Sequence, residues 1–139
     1  MKNKTILNTS VAAMAAVTTL MSCSKSSNDN SDITGASWTW VSRDGGVANN
    51  IHETPASTGK NISLSFGTDG KYTITENGVI TSQGTYTRSG GTCIHDLSVK
   101  TKIDFSDAAA QDMMIESFTG GRLTLSDEAN DGLSSTFSR

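Results

Sequence analysis

The sequence predicts an all-β domain, an eight-stranded antiparallel up-and-down meander barrel, and three observations carry that prediction. Apolar and polar residues alternate with period two in window after window, the pattern of strands half buried on one face. Asp-Gly, Asn-Gly and Gly-Gly pairs separate those windows at short intervals, as tight hairpins require. The composition is rich in Ser and Thr and poor in long helix formers, with thirteen Gly, one Pro and 35% hydrophobic residues, which excludes an all-helical protein.

The first strand is Ser37-Trp38-Thr39-Trp40-Val41, with Trp38 and Trp40 on one face. The run NISLSF repeats the pattern with Ile62, Leu64 and Phe66. Asp69-Gly70 then turns the chain between Phe66 and the Tyr72-Ile74 strand, and Asn77-Gly78 repeats the device before VITSQGTYTR; glycine tolerates the positive φ of such turns. Val99, Thr101, Ile103 and Phe105 alternate against Lys100, Lys102 and Asp104, an apolar face opposite a solvated one. SDAAAQD is expected to make one helical turn leading into MMIESF. Gly120-Gly121 turns into RLTLSD, and Asp131-Gly132 into LSSTFS. The longest connection, Arg43 to Lys60, is the natural lid or mouth. An eight-stranded barrel encloses room for side chains or for one small ligand.

At 139 residues the chain holds one domain. The formal charge is −3, and without Lys2 and Lys4 nine basic residues face fourteen acidic ones. That balance excludes the clustered basic face a nucleic-acid partner requires.

The N-terminus has its own organisation. Met1 to Lys4 carries two positive charges, and Thr5 to Met21 follows as an apolar run, so residues 1–22 read as a secretory signal peptide. The run is too short and too diluted with Asn and Thr for a membrane-spanning helix. Leu20-Met21-Ser22-Cys23 resembles the lipobox of bacterial lipoproteins. That resemblance implies cleavage before Cys23, a diacylglyceryl thioether on its sulfur and a third acyl chain on its amine. One acyl chain anchors only marginally, whereas several together hold firmly. Residues 23–34 are then the lipidated cysteine and a flexible tether, SKSSNDNSD, too polar to fold; about ten such residues span roughly 17 Å. Ser24 directly after the cysteine resembles lipoproteins sent to the outer membrane, facing either the periplasm or the exterior. With Cys23 lipidated, Cys93 is left without a disulfide partner.

Residues 35–139 form the barrel domain. The phrases GASWTWVS, LSFGTDGKYTITENG, GTYT and GRLTLSD are similar to the lipocalin-like domains of bacterial lipoproteins. Lipocalins usually open with Gly-x-Trp; here Gly35 stands three residues before Trp38. They also tend to set a basic residue near the last strand over that tryptophan, a place matched by Arg139. The resemblance implies a calyx for a small hydrophobic molecule.

Candidate ligand-binding residues are the aromatics on the apolar faces: Trp38, Trp40, Phe66, Tyr72, Tyr86, Phe105 and Phe118. His52-Glu53 and His95-Asp96 place imidazoles beside carboxylates, but their spacing matches no ligand motif, so no metal is expected. Cys93 and His95 lack an oxyanion-binding signature and read as structural. Ser89-Gly90-Gly91 and Gly120-Gly121 are turns, since no Lys-Ser or Lys-Thr follows. SDEANDG lacks the ligand spacing of a calcium loop. No nucleophile, base and orienting group stand together, so the expectation is a non-enzymatic, cofactor-free binding module. The alternative is an envelope protein with a filled barrel that docks another envelope protein.

Overall fold

The computed structural model describes residues 32–139; the signal peptide, Cys23 and most of the tether lie outside the described residues. Strand β1 (Ala36–Gly45) is the hub. It is followed by β2 (Ile51–Glu53), a single-turn helix α1 (Pro55–Thr58), β3 (Ile62–Phe66), β4 (Lys71–Glu76) and β5 (Val79–Thr92). The chain then continues through β6 (Val99–Phe105), β7 (Met113–Thr119), β8 (Arg122–Asp127) and β9 (Leu133–Ser138). Consecutive strands from β3 to β9 pair antiparallel in order, and β9 returns to β1, with Thr39 opposite Ser138 and Gly45 opposite Leu133. The sheet closes on itself as an eight-stranded antiparallel barrel.

The turns follow from their residues. Asn77 and Gly78 take φ of 53° and 82°, and Gly120 and Gly121 take 60° and 78°, the mirror-image geometry that matches strand twist in a two-residue hairpin.

Three expectations are corrected. A ninth strand exists: the Arg43 to Lys60 connection is largely structured, because β1 runs on to Gly45, β2 pairs back on it, and Thr54 and Ser57 form a capping box on α1. The SDAAAQD segment makes a single tight turn, closed by Ala110 N donating to Asp107 O at 2.9 Å, instead of a helical turn. Finally, the two faces of β6 are not simply buried and solvated. Val99 is 78% exposed, while Lys100 is largely covered by its ion pairs. The cause is the long β5–β6 hairpin, whose tip overruns the barrel and folds across the outside of β7. Gly91 lies so close there that a Cβ would meet Met114 Cε at 2.8 Å.

The interior is filled by Trp38, Trp40, Leu64, Phe66, Tyr72, Tyr86, Ile103, Leu123, Leu125 and Phe137. One end is stoppered. Ile33 is buried there, and its carbonyl accepts the Trp38 Nε1–H bond at 3.0 Å. Phe118 meets Trp38 edge-on at 5.3 Å, and the Arg139 guanidinium lies 4.8 Å above the Trp38 ring. Each fully buried side chain of this size contributes about 1.5–3 kcal/mol.

Candidate functional site

The opposite end of the barrel is hollow. The C-terminal ends of β1 and β4 and the N-terminal ends of β3, β5 and β9 surround a cavity of about 220 Å³. Its walls are mostly carbon: Ile62, Leu64, Ile74, Phe105, Met113 and Phe137, with the Trp40 indole. Arg43, Glu76, Thr81, Ser82 and Ser135 add polar atoms. A smaller space of about 110 Å³ adjoins it, sharing Arg43, Met113 and Ser135.

Two β-bulges shape this end. Strict alternation from Trp38 and Trp40 would turn Ser42 inward and Arg43 outward. The register with β9 shifts between Trp40 and Ser42, leaving Val41 as the extra residue, so that Arg43 pairs with Ser135 and both face the cavity. A second shift between β4 and β5 makes Thr81 the extra residue and brings both Thr81 and Ser82 to the lining. Re-aiming a side chain is what a bulge does.

The polar groups differ in how well they are satisfied. Ser82 Oγ donates to Asp107 Oδ2 at 2.7 Å, so the Tyr72 hydroxyl must donate in turn to Ser82 Oγ, at 2.8 Å. The backbone N–H of Ala109, and then Ser82, hold the Asp107 carboxyl below its ordinary pKa. Glu76 meets Lys60 at 3.4 Å. Arg43 is held more loosely, with Nε 3.4 Å from Ser135 Oγ and a terminal nitrogen 3.8 Å from Glu53. Trp40 Nε1 is buried with no acceptor among the described residues.

Of the aromatic residues predicted from the sequence, Trp40 and Phe105 line the cavity. Phe66, Tyr72 and Tyr86 pack with Phe105 into an aromatic cluster below it, with centroid distances between 4.5 and 6.3 Å. Trp38 and Phe118 belong to the stoppered end. The sequence reading missed Arg43, because the bulge at Val41 inverts the alternation that would have revealed it, and passed over Ser135, which shares the Phe137 face by unbroken alternation but is polar. It also passed over Ile62, Leu64 and Ile74, visible as apolar strand positions but unranked beside the aromatics, and it omitted the aromatic Phe137.

The histidines sit apart from the cavity. His52 Nδ1 lies 2.9 Å from Asp44 Oδ1, a contact that lowers the Asp44 pKa, and His95 Nε2 lies 3.2 Å from the Asp127 carbonyl. No group of three or more His, Cys, Asp or Glu among the described residues is arranged to hold a metal. Cys93 is fully buried under the β5–β6 tip, where its thiol donates to Glu116 Oε1 at 3.5 Å. Glu116 is itself the extra residue of a third bulge, between Ile115 and Ser117 of β7. Ser126 Oγ also donates to it, at 2.6 Å, and Lys100 Nζ bonds its other oxygen. Burial pushes the Glu116 pKa up, but the bonds from Lys100 and Ser126 outweigh burial and leave it lowered. The bond to Asp96, then that to Glu116, raises the Lys100 pKa. This knot fastens the overrunning hairpin to the barrel wall.

The chain matches no protein-family model, no curated protein and no solved structure in the comparisons made.

Proposed function

We propose that the protein is a lipid-anchored binding module of the bacterial outer membrane, with a lipocalin-like barrel that holds a small hydrophobic molecule in its open end. The single observation carrying this reading is the contrast inside one barrel: an end stoppered by Trp38, Phe118 and Arg139, and an apolar cavity at the other. Small-molecule sites are concave, mostly apolar and furnished with a few placed polar groups, and barrel mouths are a favoured place for them. The Arg139 guanidinium over Trp38 agrees with the lipocalin resemblance. Hydrogen-bond donors on carbon walls retain a molecule rather than transform it, and both histidines are engaged elsewhere.

The test is native mass spectrometry on protein purified from its own host. An added mass that leaves on denaturation supports the binding module; a bare protein mass refutes it. Lipidation is tested separately by fractionation, where Cys23→Ser should leave the membrane fraction, and its full retention there would refute the anchor.

A second reading has one observation in its favour. Ile94, Leu97 and Val99 at the β5–β6 tip are exposed, Leu97 by 78% with a left-handed φ of 57°. Exposed apolar groups clustered on one hairpin suit an envelope-protein contact. In-membrane crosslinking from the tip, lost in Leu97→Asp, would favour it.

A further inference from the structure

Charge is divided unevenly between the two ends of the barrel. At the mouth stand Asp44 and Glu53 beside Arg43, Glu76 on the cavity wall and Asp127 on the wall of the smaller space. The β6–β7 connection adds Asp107, bonded to Ser82, and Asp112, next to Met113. Arg43, Lys60 and Lys102 oppose them, each already set against a carboxylate. The stoppered end has the reverse sign. Arg139 lies over Trp38 and Phe118, Arg122 opens β8 opposite Ser138, Arg88 lies 3.8 Å from Asp32, and Lys71 lies 3.2 Å from Asp69. Asp32 and Asp69 are the acidic side chains among these four bases. Arg122 is exposed and has no carboxylate in ion-pair range among the described residues. The chain also enters the barrel here, since Ile33 is buried in the stopper and the exposed Asp32 precedes it.

We propose that the stoppered end is a membrane-facing surface, which rests on anionic headgroups of the bilayer holding the lipid anchor, and that the mouth opens away from that bilayer. The inference rests on the reading of Cys23 as lipidated; it adds the orientation of the barrel and the partner of its closed face. Two lengths support it. The tether of about ten residues spans roughly 17 Å. The ten residues of β1 rise about 33 Å along the strand and, at a barrel tilt of about 40°, about 25 Å along the axis. Turning the mouth to the bilayer would make the tether run the height of the barrel, beyond its mean span. Charge acts in the same direction. Each Arg or Lys close to an anionic surface changes the population there by about fivefold, whereas the carboxylates of the mouth are repelled. The cavity therefore exchanges its molecule with the aqueous side.

The test places the full-length protein from its own host in nanodiscs of phosphatidylcholine, with or without phosphatidylglycerol, that carry a nitroxide on a few headgroups. Labelling with ¹⁵N-glycine lets NMR read both ends at once: Gly70, Gly120 and Gly121 beside the stopper, and Gly46, Gly59 and Gly78 around the mouth. In anionic nanodiscs the nitroxide should broaden the stopper amides about tenfold more than the mouth amides, and salt at about 1 M should reduce that contrast. The double variant Arg88→Gln with Arg122→Gln, checked for an unchanged urea midpoint, should lower the contrast to its value in neutral nanodiscs. Mouth amides broadened as much as stopper amides, in protein that stays with the nanodisc, would overturn the orientation and leave the anchor standing. A contrast indifferent to lipid charge and to the double variant would overturn the headgroup contact. Protein that separates from the nanodisc on gel filtration would overturn the anchor and this inference with it.

Discussion

The two ends of the barrel are built from the same strands and face opposite demands. At the stoppered end Trp38, Phe118, Ile33 and Arg139 interlock, and the one buried indole N–H has its acceptor. At the open end Trp40 stands one inward position further along the same strand, beside empty volume and without an acceptor. Such division of labour is what a rigid container needs. Packing concentrated at one end stabilises the sheet, and the unmet surface at the other is what the proposed binding function would use, since natural proteins tend to depart from ideal packing where they function.

The contrast can be broken most forcefully at the stopper. Trp38→Ala removes a fully buried indole and its bond to Ile33, and should cost about 3–5 kcal/mol in urea unfolding. A loss below about 1 kcal/mol would show that this end does not carry the stability assigned to it.

A perturbation outside both ends serves as the control. Glu116→Gln weakens the knot under the β5–β6 hairpin and should cost about 1–3 kcal/mol at neutral pH while leaving the mass carried in native mass spectrometry unchanged. The Glu116 carboxyl titrates below its ordinary 4.5 when folded, so its contribution is present above that value and is lost as pH falls through the folded pKa. The stability gap between wild type and variant should therefore narrow between neutral pH and about pH 3. A gap constant with pH would remove the ionised carboxylate from the explanation.

The sharpest comparison uses one substitution twice. Trp38→Phe and Trp40→Phe remove the same atoms, but only the first breaks a hydrogen bond, so it should cost about 1 kcal/mol more. Equal costs would mean that Trp40 Nε1 is already satisfied. The smallest effect is at Arg139, which is replaced by Leu to keep bulk over the rings. Loss of the cation above Trp38 and Phe118 should cost about 0.5–1 kcal/mol, read as a shift in the urea midpoint.

Much of this was legible in the sequence for a physical reason. Alternation reports burial residue by residue, and Asn77-Gly78 and Gly120-Gly121 report positive φ directly, so strands, turns and the inward pair of Trp38 and Trp40 could be read locally. The cavity could not. Whether an inward residue fills space or borders it depends on partners distant in sequence, as Tyr72 packs on Phe105 at 4.5 Å while Ile74, two residues along, faces the void. Bulges were invisible for the same reason. Val41, Thr81 and Glu116 share no single residue type or motif, and each is extra only relative to a partner strand. The overrun of the β5–β6 hairpin is likewise a matter of partners: all seven residues of β6 pair with Tyr86–Thr92 of β5, whereas only Lys102 and Ile103 pair with β7.

The seam between β1 and β9 sets an order of events in time. Every other neighbouring pair in the barrel wall is joined by a local connection, whereas this pair brings Thr39 to Ser138. Contacts between such distant parts of a chain form late, because the loop between them must be ordered first. The wall can therefore assemble hairpin by hairpin as an open, curling sheet with two bare edges, sticky toward other strands until β9 docks. Lengthening any intervening turn should hardly disturb the finished barrel, while a lesion in β9 would hold the chain in its adhesive, unclosed form.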